Sequence, residues 1–315
     1  MLMNLNLTML AAILLLNFPC KSLPADTTMR FFKASNNLIQ YTGRIDFSDP
    51  EKPKCWAPGT YIKAKFSGTA CAIGINDEGR ALNYIWIIVD DNEPVRIQLK
   101  KKVNTIQAAR NLPRGEHTIT ICKNTEANIG YIEFTGITCE ALIPLSAQPE
   151  RKIEFIGNSI TCGTGSDRSL IECGGGQWHD QHNAYMSYGP LTARKLKAQW
   201  HLTAYSGIGL THSCCNLTMT MPDIFDKLNL HTDNGIPWDF SRYQPDVVTI
   251  CLGQNDGIQD SVKFCNAYVN FISTVRSHYP EARIVCLTSP MANDDLTGVL
   301  KNYLTGIVNH KARID

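Results

Sequence analysis

The sequence has almost no net charge and no long basic run. Its formal balance over 315 residues is +1, which argues against a nucleic-acid partner, because such partners require clustered cationic surface. It has 12 cysteines but no C-x-x-C pair, so it lacks the spacing of a structural zinc site. It has too few charged residues, 19% against 43% hydrophobic, to read as disordered, and it can bury a core. The N-terminal apolar run, Leu7 to Leu16, is only ten residues long and cannot span a bilayer.

That run is instead the length of a signal-peptide core. Small or polar residues follow it, and Ala25 is the expected last residue of a signal over residues 1–25. No Lys or Arg precedes the run, so a buried N-terminal helix is the competing reading. Asn17-Phe18-Pro19 before Cys20 makes a poor lipoprotein site. The expected location is therefore secreted or periplasmic, without a lipid anchor. Cys122, Cys251 and Cys286 lie inside apolar strand-like runs, where a thiol behaves as a small hydrophobe. Cys214-Cys215 reads as structural. Export would allow one or two disulfides, whose pairing the sequence does not give.

The length suits two domains, and two rhythms divide the chain. Residues 26–148 carry short strand-like runs, among them YIKAKFSG, ACAIGIND, YIWIIV and HTITICK. Turn residues such as Asn76-Asp77-Glu78-Gly79 and Pro113-Arg114-Gly115 lie between several of them. This pattern predicts an all-β sandwich or jelly roll. The segment PLSAQP, residues 144–149, reads as a linker.

In residues 149–315 apolar strands alternate with helical stretches. KIEFIG precedes SYGPLTARKLKAQW, and DVVTICLG precedes SVKFCNAYVNFISTVRSHYP. Val269, Ile272, Val275 and Arg276 fall at helical spacing, and Pro280 ends that helix. Strand–helix alternation predicts a parallel sheet covered on both faces. Ligands on such sheets bind beyond the carboxyl ends of the strands.

Three polar motifs follow three of these strands. In FIGNSITCG, Ser159 either belongs to an ordinary turn or is a displayed nucleophile. In AYSGIGL, Gly207 either permits a tight turn or lets a backbone N–H approach a substrate oxygen. In LGQND, Asn255 either belongs to an Asn-Asp-Gly turn or offers its amide to an oxyanion. A fourth segment, ECGGGQWHDQHNAY, reads first as a flexible surface loop. Its His179, Asp180 and His182 match no strong metal motif, and Trp178 could stack on a sugar.

The order and spacing of the three motifs resemble the SGNH (GDSL-like) hydrolase superfamily, with Asn158 where many members have Asp. YTGRIDFSDPEKPKCWAPGTYIKAKFSGT ahead of such a domain, and SYGPLTARKL within it, resemble carbohydrate esterase family 2. The resemblance implies a jelly roll followed by a three-layer α/β/α domain. It implies removal of acetyl groups from plant polysaccharides such as xylan or mannan, through an acyl-serine on Ser159. The Ser159 and Gly207 N–H groups and the Asn255 amide would hold the oxyanion, with no metal or organic cofactor.

A serine also needs a general base. In this family the histidine is expected on a loop after a further strand, whereas the last strand-like run here is Arg283 to Ser289. His310 comes too early to match that position. The base is therefore expected beyond Asp315, with the C-terminal part of the hydrolase domain missing from the chain. The rival reading is a non-catalytic carbohydrate-binding protein with a decayed or truncated hydrolase domain.

Overall fold

The computed structural model describes residues 28–90 and 92–311, so the apolar run, Ala25 and Cys20 lie outside the described residues. The first half is antiparallel. Its strands are β1 (Arg30–Lys33), β2 (Gln40–Thr42), β3 (Ile45–Asp46), β4 (Lys54–Cys55), β5 (Tyr61–Asp77), β6 (Tyr84–Val89), β7 (Val95–Gln98), β8 (Val103–Ala109), β9 (Gly115–Lys123) and β10 (Ile132–Ile143). They form one hydrogen-bonded sheet whose main path runs β3-β4-β10-β5-β9-β6-β7.

The two runs expected as separate strands, YIKAKFSG and ACAIGIND, are one strand, β5. Its residues 62, 64, 66 and 68 are buried, then 71, 73, 75 and 77. The alternation therefore slips by one at Thr69-Ala70. Bulges in the ladders that β5 makes with β10 and β8 lie close by. An extra residue bends a strand without ending it. The first part of β5 pairs with β9 and the second with β8, so one strand serves both halves of the β-domain around a core of residues such as Phe66, Ile73, Ile121 and Phe134.

The second half carries β11 (Lys152–Gly157), β12 (Gln199–Ala204), β13 (Val247–Cys251) and β14 (Arg283–Cys286), in the order β12-β11-β13-β14. All pairs are parallel. Its helices are α1 (Ser159–Cys162), α2 (Tyr188–Lys195), α3 (Met221–Ile224), α4 (Ser261–His278) and α5 (Asp294–Lys311). The helix expected from SYGPLTARKLKAQW stops early, because Gln199 and Trp200 already belong to β12. The buried stripe of α4 is Phe264, Tyr268, Phe271, Ile272 and Val275; Val269 is only partly buried, and Arg276 donates to the carbonyls of Tyr279, Pro280 and Ala282.

The sheet is covered differently on its two faces. Ile156, Val248 and Ile250 pack with α4 and α5 through Phe264, Leu300 and Leu304. Ile153, Phe155, Trp200 and Leu202 pack with Ala193 of α2 and with Tyr61 and Cys122 of the β-domain. The β-domain thus supplies part of a layer that helices supply elsewhere.

Polar contacts fix this docking. Arg44 enters the hydrolase domain with its side chain fully buried, and Glu154 is equally buried. The Arg44 guanidinium donates to Glu154 at 2.9 Å and to the carbonyls of Phe225 and Lys227 at 2.5 and 2.9 Å. Glu154 also accepts from Thr203 at 2.6 Å and Tyr279 at 2.5 Å. Removing one member of a buried ion pair leaves the other charge without compensation. Arg44→Leu should therefore lower unfolding stability by about 3–5 kcal/mol, measured by urea denaturation. A loss comparable with that of an exposed pair such as Lys33–Glu51 would show that the ion pair does not anchor the domains.

Candidate active site

The site forms where three parallel strands end together. Gly157 closes β11, and a Cβ there would lie 2.1 Å from Thr161 Oγ1. This allows the chain to turn at once into α1. Asn158 caps that helix, its side-chain oxygen accepting the Ile160 N–H at 3.1 Å. Ser159 is the first helical residue and faces a cleft of about 460 Å³.

Gly207 follows β12 with φ +81°, and its carbonyl accepts the Cys214 N–H at 2.9 Å. A Cβ there would meet Leu217 at 3.1 Å and Cys214 Sγ at 3.2 Å. Asn255 follows β13. Its Nδ2 donates to the Ile208 carbonyl at 2.7 Å, which fixes the amide rotamer while leaving a second N–H. Ser159, Gly207 and Asn255 all line the same cleft, with Asn128, Thr164, Trp178, Tyr205, Ser206, Cys214, Cys215 and Leu217. Cys214 and Cys215 are disulfide-bonded to each other, so the pair read as structural forms part of the cleft wall.

Asp256 ties the second motif to the third. Its buried carboxylate accepts the backbone N–H groups of Leu210 (3.0 and 2.9 Å), Thr211 (2.6 Å) and His212 (3.1 Å), and the Thr211 hydroxyl at 2.9 Å. The loop after Gly207 is thus wrapped around the residue after Asn255.

The glycine-rich part of the segment expected as a surface loop, residues 172–178, is exposed, while the part that follows it is anchored on the β-domain. Tyr84 donates to Asp180 at 2.7 Å, and Arg96 donates to the His182 carbonyl at 2.9 Å with Asp167 3.4 Å away. These contacts place Trp178, 47% exposed, at the cleft edge-on to His182. Burial pushes the His182 imidazole down to about 3, so it stays neutral. Among the described residues no histidine lines the cleft, no trio of His, Cys, Asp or Glu could hold a metal, and no helix is long and apolar enough to cross a membrane. His310 lies exposed on α5.

Sequence reasoning missed Glu126. It belongs to the β-domain, is fully buried, and accepts the Ser206 N–H at 2.7 Å and the Ser206 hydroxyl. Burial pushes its carboxyl up to about 7. No periodicity marks it, since it lies in a short irregular stretch after β9.

Comparison with known proteins places this geometry. Residues 41–149 match the carbohydrate esterase 2 N-terminal family, and residues 155–311 match the GDSL-like lipase/acylhydrolase family. An acetylxylan esterase / glucomannan deacetylase of Cellvibrio japonicus is 30% identical over 278 residues, covering 86% of this chain and 76% of that protein. The chain belongs to carbohydrate esterase family 2. Cellulase/esterase CelE of Acetivibrio thermocellus is 38% identical to this family 2 esterase over 280 residues, 87% of the chain. The chain spans only 34% of that larger protein. A family two carbohydrate esterase from Clostridium thermocellum, solved with cellohexaose, is 37% identical with a TM-score of 0.80, covering 87% of this chain and 85% of that one. One from Cellvibrio japonicus is 28% identical with a TM-score of 0.83, covering 90% of this chain and 86% of that one.

The Asp256 clamp makes a local prediction for the esterase. Asp256→Ala removes the acceptor of all these bonds, and unpaired buried donors are costly. Amide hydrogen exchange over residues 210–212 should accelerate by at least about tenfold, the equivalent of roughly 1.4 kcal/mol, while β-domain amides stay unchanged. Unchanged exchange at 210–212 would remove Asp256 from this role.

Proposed function

We propose that this esterase removes acetyl groups from a plant polysaccharide such as xylan or mannan through an acyl-serine intermediate. One observation carries the reading: Ser159, Gly207 and Asn255, from three separate strand ends, line one cleft. The Ser159 hydroxyl attacks the acetyl carbonyl. The oxygen that becomes negative is held by the Ser159 and Gly207 N–H groups and by the free N–H of Asn255. Such donors act most strongly where charge develops. The sugar alcohol leaves, and water then releases acetate from Ser159.

Ser159 needs a proton acceptor, and among the described residues no histidine lines the cleft. Trp178 offers the face of an indole for a sugar ring, and the names of the Cellvibrio japonicus relatives support the choice of xylan or glucomannan. We also propose that the protein is exported, for which Leu7 to Leu16 and the Cys214–Cys215 disulfide are the support. The same lack of a histidine on the cleft favours a second reading, a carbohydrate-binding protein that retains the cleft without turnover.

Assays on the full-length protein with 4-nitrophenyl acetate and acetylated xylan or glucomannan separate the two. In the esterase reading, Ser159→Ala abolishes acetate release and leaves thermal melting unchanged; near-normal turnover in that variant removes the acyl-serine. Binding of the polysaccharide with no acetate release by the wild type supports the binding reading.

Asn255→Ala should lower kcat on the order of a hundred- to a thousandfold, as for other single oxyanion donors, with KM little changed. Such a split marks an interaction made in the transition state. A change confined to KM would assign Asn255 to substrate positioning.

A further inference from the structure

Glu126 lies behind the cleft at the meeting of the two domains. Both of its oxygens hold Ser206, one accepting the Ser206 N–H at 2.7 Å and the other the Ser206 hydroxyl. Ser206 immediately precedes Gly207, so the peptide unit that follows Ser206 carries the Gly207 N–H. The far side of Gly207 is held through its carbonyl by the Cys214 N–H at 2.9 Å. The turn is therefore clamped from the β-domain on one side and from its own loop on the other.

The grip extends to the nucleophile. Thr164 Oγ1 is 3.0 Å from Ser206 Oγ, and the Thr164 N–H donates to the Ser159 carbonyl at 3.0 Å. The Cys162 thiol of α1 also points at Glu126, at 3.7 Å. One carboxylate thus touches both the helix that begins with Ser159 and the turn that carries Gly207.

We propose that Glu126 is a positioning residue for ester hydrolysis, setting through Ser206 where the Gly207 N–H meets the substrate oxygen. The inference rests on the deacetylase reading above and extends it. It makes the β-domain part of the catalytic apparatus rather than an attached binding module. Displacing an oxyanion donor by about an ångström weakens it most in the transition state, so the effect falls on kcat.

Two variants separate position from charge. Glu126→Gln keeps the length of the side chain: its amide oxygen can accept the Ser206 N–H and its NH₂ can donate to Ser206 Oγ. Glu126→Asp keeps the charge but withdraws the carboxylate by one methylene. In the full-length protein with 4-nitrophenyl acetate, E126D should lower kcat by at least about tenfold, short of the loss from deleting a donor. Its KM should stay within about twofold, and E126Q should remain within about threefold of wild type in both constants. The opposite order, with E126Q the worse variant, would assign Glu126 an electrostatic role and overturn the proposal. Equal falls in kcat and melting temperature in both variants would make it merely structural, and an unchanged kcat in E126D would also overturn it.

Peptide-level amide exchange over residues 204–210 gives a readout independent of turnover. E126D should accelerate it by at least about tenfold and E126Q should not. If the wild type hydrolyses no acetyl ester, the deacetylase reading fails on its own. Exchange then decides alone whether Glu126 holds this turn, and equal exchange in all three proteins overturns it.

Discussion

A guanidinium buried between two domains needs a counter-charge and hydrogen-bond acceptors to offset its desolvation. The two terminal nitrogens of Arg44 meet Glu154 and two backbone carbonyls, its Nε has no hydrogen-bond partner among the described residues, and the guanidinium lies within 5.3–5.7 Å of the rings of Phe225, Trp238 and Phe240. Desolvating both charges is expensive, and only this geometry offsets it. The pair leaves little freedom in how the domains dock. Trp200 reinforces it by donating to the Gly59 carbonyl at 3.0 Å, as does His201, whose Nε2 accepts the Gly43 N–H at 3.0 Å.

Docking in that one way has consequences at the other end of the sheet. It brings Glu126 to Ser206, Asn128 to the rim of the cleft, and Tyr84 and Arg96 to the loop bearing Trp178. The cleft wall therefore draws on both domains. The parallel sheet delivers Ser159, Gly207 and Asn255 to one edge because parallel strands all end on the same side. Their loops are then fixed by contacts between motifs: Asn255 on the Ile208 carbonyl and Asp256 on the N–H groups of residues 210–212.

Much of this was legible in the residues. The alternation of apolar strands and helices gave the parallel sheet, and the polar motifs after its strands gave the residues that line the cleft. The bend in β5 was not legible. Ser67-Gly68-Thr69 resembles a turn, yet the chain continues through it as a bulged strand, because β10 pairs with β5 on either side of that point. The anchoring of the residues after the glycine-rich stretch was not legible for a related reason. The segment's composition is that of a mobile loop, but its anchors lie in β6 and β7.

The sequence by itself determined the order of the domains, the kind of sheet in each, and the identity of the serine, glycine and asparagine that face the cleft. Those are local properties, written in periodicity and in the residues that follow each strand. Only the tertiary structure decided that Glu126 holds Ser206 across 80 residues of chain, or that Arg44 holds Glu154 across 110. The reason is physical. A buried charge or polar group is satisfied by whichever partner the docking of two domains brings within hydrogen-bonding distance. No pattern within either segment specifies that partner.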